Sequence, residues 1–169
     1  DAQTVGAFDQ TGDVDDYTIA LAANQTLGVT LFPVDEGFRA RIEVFDPQGN
    51  LIADANGNTQ FDAANLGDLA ALNALPATDA GDYRIRATSL EGAGRYTVGL
   101  ILNATSEEEA LGWGSDDDLG AAQDIDASFL ALDDAWRGAV AGQIGGAGQE
   151  DWYRFTVQAN ELATLVLTA

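Results

Sequence analysis

The sequence predicts an all-β chain: an antiparallel two-sheet β-sandwich, jelly-roll-like, followed by a truncated second copy of the same unit. Three observations carry this expectation. Apolar and polar residues alternate with a period of two in several short runs, as they do in strands with one buried face. The runs are separated by Gly, Asn, Asp and Pro, which supply turn geometry, and no helical period is sustained. A shift of 136 residues lays Gly6–Leu31 on Gly142–Leu167 without a gap.

The strands can be read in order. Asp15–Leu21 places Tyr17, Ile19 and Leu21 on one face, and Ala22–Gln25 reads as a turn. Thr26–Phe32 follows with Leu27, Val29 and Leu31 inward. Arg39–Phe45 turns Ala40, Ile42 and Val44 one way and Arg39, Arg41 and Glu43 the other. Asp46–Asn50 is a turn by its chemistry, since Pro47 presets φ and Gly49 or Asn50 accepts positive φ, and Leu51–Ala53 reads as the returning strand. Asp82–Thr88 alternates Tyr83, Ile85 and Ala87 with Arg84 and Arg86, and Arg95–Leu102 alternates Tyr96, Val98, Leu100 and Leu102 with small or polar neighbours. Between them, Phe61–Pro76 breaks the pattern: Leu66, Leu69, Leu72 and Leu75 recur every third residue, which suits either a helical turn or a packed loop. The core expected from this alternation includes Ile19, Leu31, Ile42, Val44, Ile85 and Val98.

The internal repeat matches strand phase as well as identity. Gly6 meets Gly142, Gly12 meets Gly148, Asp15 meets Asp151, Tyr17 meets Tyr153, and Ala23-Asn24 meets Ala159-Asn160. The expected organisation is a complete sandwich over residues 1–104, an acidic inter-module linker over 105–137, and the first strands of an incomplete module over 138–169. Asp151–Val157 and Leu162–Leu167 are its expected strands. Two strands cannot bury Trp152, Tyr153, Phe155, Leu165 and Leu167 by themselves, so pairing with another chain or copy, or with other domains of the same precursor, is expected.

Composition excludes much chemistry. The chain contains no His, Cys, Lys or Met, which removes ordinary zinc, copper and haem sites, a Cys nucleophile, a Ser-His-Asp triad and a Schiff-base lysine. A two-carboxylate hydrolase is the common hydrolytic mechanism left, and it needs two acids facing each other across a cleft. The 28 acidic residues against seven arginines give a net charge of −21. Such a chain repels nucleic acid and anionic lipid, and no apolar run is long enough to insert in a membrane. Its oxygen-rich surface suits hard cations, Ca²⁺ above all, although the same charge also simply solvates a surface. With no Met at position 1, the chain is expected to begin inside a longer precursor.

These residues resemble the bacterial pre-peptidase C-terminal domains, β-sandwich modules that accompany catalytic domains in exported proteins. The likeness rests on Gly12, Asp13, Asp15, Asp16 and Tyr17, on the turn Ala23–Leu27, on Ile42–Ala53, and on the Gly81-Asp82-Tyr83 and Gly94-Arg95-Tyr96 openings of the last two strands. Gln149–Phe155 matches the opening again. Ser115–Ala122 is similar to the acidic linker that often precedes a family copy, with Gly114 in place of its Glu and Asp116 in place of its Asn. The resemblance implies an extracellular or cell-surface, non-catalytic module that serves as a structural, spacer or adhesion unit. The alternative it implies is a targeting module that holds a secreted hydrolase on a polysaccharide or fibrous protein.

In some family members the linker and the loop before the Tyr strand bind Ca²⁺. The resemblance therefore points to Asp116, Asp117, Glu150 and Asp151 as metal ligands, with Asp13, Asp15 and Asp16 as a second candidate set. No organic cofactor is expected. The competing role for Asp13, Asp15 and Asp16 is to cap and solvate the strand entry. Tyr17, Tyr83, Tyr96 and Tyr153 all fall on the apolar phase of their strands, which favours core packing over a sugar platform.

Overall fold

Two four-stranded antiparallel sheets pack face to face as a sandwich in the computed structural model, which describes residues 2–54 and 56–168. Its strands are β1 (Ala2–Phe8), β2 (Val14–Leu21), β3 (Thr26–Pro33), β4 (Phe38–Phe45), β5 (Phe61–Asp62), β6 (Ala70–Pro76), β7 (Gly81–Gly92) and β8 (Gly94–Leu102). One sheet has the order β1-β8-β3-β6 and the other β2-β7-β4-β5. The alternation in β4, β7 and β8 is what makes this possible. Each strand turns every second side chain inward, and the two inner faces close over Leu27, Val29, Leu31, Phe38, Ile42, Val44, Tyr83, Ile85, Tyr96 and Val98, all buried. Each large aliphatic side chain buried this way contributes about 1.5–3 kcal/mol. Of the six core residues expected, five are buried, and Ile19 is half-buried and packed against the cluster. Three of the outward arginines are engaged by neighbouring side chains. Arg41 pairs with Asp62 at 2.6 Å, Arg86 with Asp16 at 2.8 Å, and Arg84 lies over the Phe45 ring at 4.2 Å.

Two segments depart from the sequence reading. Phe61–Pro76 is neither helical turn nor loop at its C-terminal end, because Ala70–Pro76 is an edge strand. Leu27 pairs with Leu75 and Val29 with Leu72, so two β6 residues, Asn73 and Ala74, oppose the single Gly28, and Ala74 takes φ = 50°. This bulge resets the pleat, and Leu72 and Leu75 both reach the core at a spacing of three instead of two. The return after Asp46–Asn50 is shorter than expected: Leu51 forms a single bridge with Phe45, and Ile52 N donates to Val44 O at 2.9 Å.

Beyond β8 the elements are small: β9 (Thr105–Ser106), β10 (Gln123–Asp124), β11 (Leu130–Leu132), β12 (Ala135–Arg137), β13 (Val140–Ala141) and β14 (Tyr153–Arg154). β13 pairs in parallel with β9, β14 in parallel with β10, and β11 with β12 as a hairpin. Asp151–Val157 thus contributes only the two residues of β14, and Leu162–Leu167, expected as a strand, has no ladder partner among the described residues. Without a second strand to accept its hydrogen bonds, apolar alternation alone does not make a strand. Among the described residues no helix is long and apolar enough to cross a membrane.

Candidate metal centre

The segment after β8 is stitched to the sandwich by side-chain amides. Asn73 of β6 takes both backbone groups of Ser106, donating from Nδ2 to its carbonyl at 2.8 Å and accepting from its N–H at 2.8 Å. Gln123 donates from Nε2 to the same Ser106 carbonyl at 2.9 Å and accepts from Glu108 N at 3.0 Å. Backbone bonds then draw in the C-terminal part: Glu107 N donates to Ala141 O at 3.0 Å, Gln123 N to Trp152 O at 2.9 Å, and Trp152 N to Asp116 O at 2.8 Å. Leu111, buried at the end of a single 3₁₀ turn over Glu109–Leu111, pins the acidic run against the fold.

This stitching gathers four carboxylates from three stretches of chain. One oxygen each of Glu107, Glu109, Asp116 and Asp151 lies within 4.8 Å of the others. Glu107 is 1% exposed and Asp116 2%, while Glu109 and Asp151 are half-buried. Glu107 Oε2 accepts from Gln143 N at 2.9 Å. Glu107 Oε1, Glu109 Oε2, both oxygens of Asp116 and Asp151 Oδ1 are buried with no hydrogen-bond donor. Burial raises the pKa of Glu107, and the charges of Asp151, Asp116 and Glu109 add to the rise. Asp116 is raised chiefly by burial as well, then by Asp151 and Asp117. The phenol of Tyr153 is held neutral by burial and by the same carboxylates.

Buried, donor-free and mutually repelling carboxylates are costly unless a cation satisfies them. An oxygen-only set suits a hard divalent ion. Two oxygens on opposite sides of a calcium ion at about 2.4 Å stand about 4.8 Å apart, so one ion can touch all four groups. Bidentate carboxylates and waters complete the six to eight ligands such an ion takes.

Of the residues singled out from sequence, Asp116 and Asp151 lie in the cluster. Asp117 instead accepts from Ser115 Oγ, and Glu150 accepts from Trp152 Nε1 at 3.1 Å. Asp13 closes the β1–β2 turn, taking Asp9 N at 2.7 Å and Val14 N at 3.0 Å. Asp15 accepts from the Tyr96 hydroxyl, and Asp16 holds Arg86 through two bonds of 2.8 and 2.9 Å. Glu107 and Glu109 were missed because Glu107-Glu108-Glu109 reads as a solvated run. The available signal was Leu111 two residues behind it, an apolar side chain that is buried and holds the run inward.

No protein-family model matches the chain significantly, and no curated protein does. Among solved structures it is similar to PliG of Aeromonas hydrophila, a periplasmic inhibitor of g-type lysozyme, at 18% identity over 60% of this chain and 84% of that one, with a TM-score of 0.41. PliG of Salmonella Typhimurium gives 18% identity over 60% and 89%, with a TM-score of 0.40. The pre-peptidase C-terminal domain of a Bacillus anthracis collagenase gives 18% identity over 59% and 88%, with a TM-score of 0.39.

Proposed function

We propose that the chain is a non-catalytic structural module of an exported, multidomain bacterial protein, in which a Ca²⁺ ion held by Glu107, Glu109, Asp116 and Asp151 fastens the segment after β8 to the sandwich. The observation that carries this reading is the set of buried carboxylate oxygens without donors. The ligands come from residues 107–109, from Asp116 and from Asp151 just before β14, so one ion closes two chain loops at once. A non-catalytic role is supported by the absence of His, Cys and Lys. It is supported too by the cluster itself, whose acids crowd around one point instead of facing each other across a substrate cleft.

The test is isothermal titration of Ca²⁺ into chelator-treated protein, paired with a thermal scan. Saturable binding with a higher transition temperature in millimolar Ca²⁺ is the expected result; an unchanged scan and no binding heat would overturn the reading. A targeting role has one observation in its favour, the exposure of Trp113 and Trp136 at 48% and 64%. Tyr83 and Tyr96 lend it nothing, being fully buried. Co-sedimentation with insoluble polysaccharide or fibrous protein, lost on Trp136→Ala, would establish that role.

A further inference from the structure

The outer face of the β1-β8-β3-β6 sheet dips at its centre. Register lays Gln3 of β1, Gly99 of β8 and Thr30 of β3 in one row across that face, with Phe32 beside Thr97 in the next row. The side chain missing at Gly99 opens the floor. A Cβ there would stand 2.7 Å from Thr30 Oγ1 and 3.9 Å from Phe32 Cε2. The other wall is built by the segment after β8, through Ser106, Leu111 and Gln143, and the two bound an open cleft of about 310 Å³. That is the low end of the range of about 300–1,000 Å³ in which small-molecule sites fall.

No residue lining the cleft is charged, in a chain of 28 acidic residues and seven arginines. A cationic ligand finds no carboxylate there, and an anionic one finds no arginine to set against the net charge of −21. The cleft offers the Phe32 ring, 40% exposed, the exposed side-chain amides of Gln3 and Gln143, and the Ser106 hydroxyl. A pyranose has the two matching surfaces: a C–H face that packs on an aromatic ring, and hydroxyls that both donate to and accept from carboxamides. An extended peptide is read instead through backbone pairing at a strand edge, and the cleft lies on a sheet face where β8 is already laddered to β1 and β3. The wall opposite the sheet is tied to the acidic cluster. Ser106 and Leu111 flank Glu107 and Glu109 in the chain, and Gln143 N donates to Glu107 Oε2 at 2.9 Å.

We propose that this cleft binds one ring of a neutral saccharide, and that the ion held by Glu107, Glu109, Asp116 and Asp151 fixes one of its walls. The ring packs on Phe32 above Gly99, and Gln3 and Gln143 take its hydroxyls. The coupling to the ion rests on the calcium reading above; the cleft itself does not. Where both bind, each tightens the other by the same factor.

The experiment titrates hexasaccharides of glucose, N-acetylglucosamine, mannose and xylose into the full chain by calorimetry, in millimolar Ca²⁺ and in chelator. A sulfated hexasaccharide and a Pro-Pro-Gly repeat peptide are the comparators. Saturable 1:1 binding of at least one neutral sugar, about tenfold weaker in chelator, is the expected result. Phe32→Ala and Gln143→Ala each weaken it about tenfold, while Trp136→Ala does not, and circular dichroism and the Ca²⁺ titration stay as in the parent chain. Saturation by none of the neutral sugars, tighter binding of the sulfated sugar or the peptide, or loss on Trp136→Ala and not on Phe32→Ala would overturn the cleft. Ca²⁺ binding with equal sugar affinity in calcium and chelator would overturn the coupling alone. Sugar binding lost on Phe32→Ala in a chain that takes up no Ca²⁺ would uphold the cleft and overturn the calcium reading.

Discussion

Asp116→Asn is expected to stabilise the segment after β8 in chelator and to cut the stability that calcium adds to it. Without a cation, Asp116 is a buried charge with no donor, at most 4.8 Å from three other carboxylates in the cluster. One pair of unit charges at that distance repels by about 3.5 kcal/mol at an effective dielectric of about 20. Glu109 and Asp151 are half-exposed and screened, and partial protonation relieves the rest, so the gain from removing one charge is about 1–2 kcal/mol. The new amide also offers donors to the orphaned oxygens. With Ca²⁺ at a hundred times its Kd, binding adds about 2.7 kcal/mol of stability. Loss of one anionic ligand weakens binding by about ten- to a hundredfold and removes about 1.3–2.3 kcal/mol of this. Tryptophan emission under urea is the assay, because Trp113, Trp136 and Trp152 all lie after β8 and the sandwich has none. A calcium-dependent gain as large in the variant as in the parent chain, or a loss of stability in chelator, would refute the reasoning.

Leu31→Ala, at a fully buried position of β3, should cost about 3 kcal/mol in a urea titration followed by far-UV circular dichroism, and should do so equally in chelator and calcium. pH should act on the two regions with opposite signs. Glu107 and Asp116 have raised pKa values in the fold, so without calcium the segment takes up protons on folding; its stability is fullest below the unfolded carboxylate range and falls as pH rises through the raised values, read by tryptophan emission. Asp16 and Asp62 are lowered, chiefly by hydrogen bonds from Arg86 and Arg41, so their contribution is present above pH about 4 and is lost as pH falls through the lowered values, read by circular dichroism.

The sandwich was legible because its strands are buried on one face, and a period of two is then enforced by the pleat. Arg39–Phe45 and Asp82–Thr88 could be placed residue by residue on that ground. β6 was not legible because its bulge converts a strand period into a spacing of three, which from sequence is also the spacing of a helical turn. β1 was missed for a different reason: as an edge strand its residues are almost all exposed, and Ala2–Phe8 shows no contrast between faces. The cluster was half legible. Asp116 and Asp151 stand where a linker and a strand opening could be recognised, whereas Glu107 and Glu109 are drawn in by side-chain amides from distant strands. Asn73 to Ser106 and Gln123 to Ser106 leave no local periodicity to read.

Asp15 and Asp151, which a shift of 136 residues lays on each other, face the same physical problem in different company. A carboxylate tucked beside a tyrosine strand loses much of its hydration and needs a donor or a counter-charge. In the sandwich β8 supplies the donor: the Tyr96 hydroxyl closes on Asp15, and burial together with the hydrogen bonds to Asp15 and Tyr17 holds that phenol neutral. After β8 no such strand is present among the described residues, and three further carboxylates converge on Asp151 where a single hydroxyl met Asp15. A phenol can answer one carboxylate; four carboxylates call for a cation.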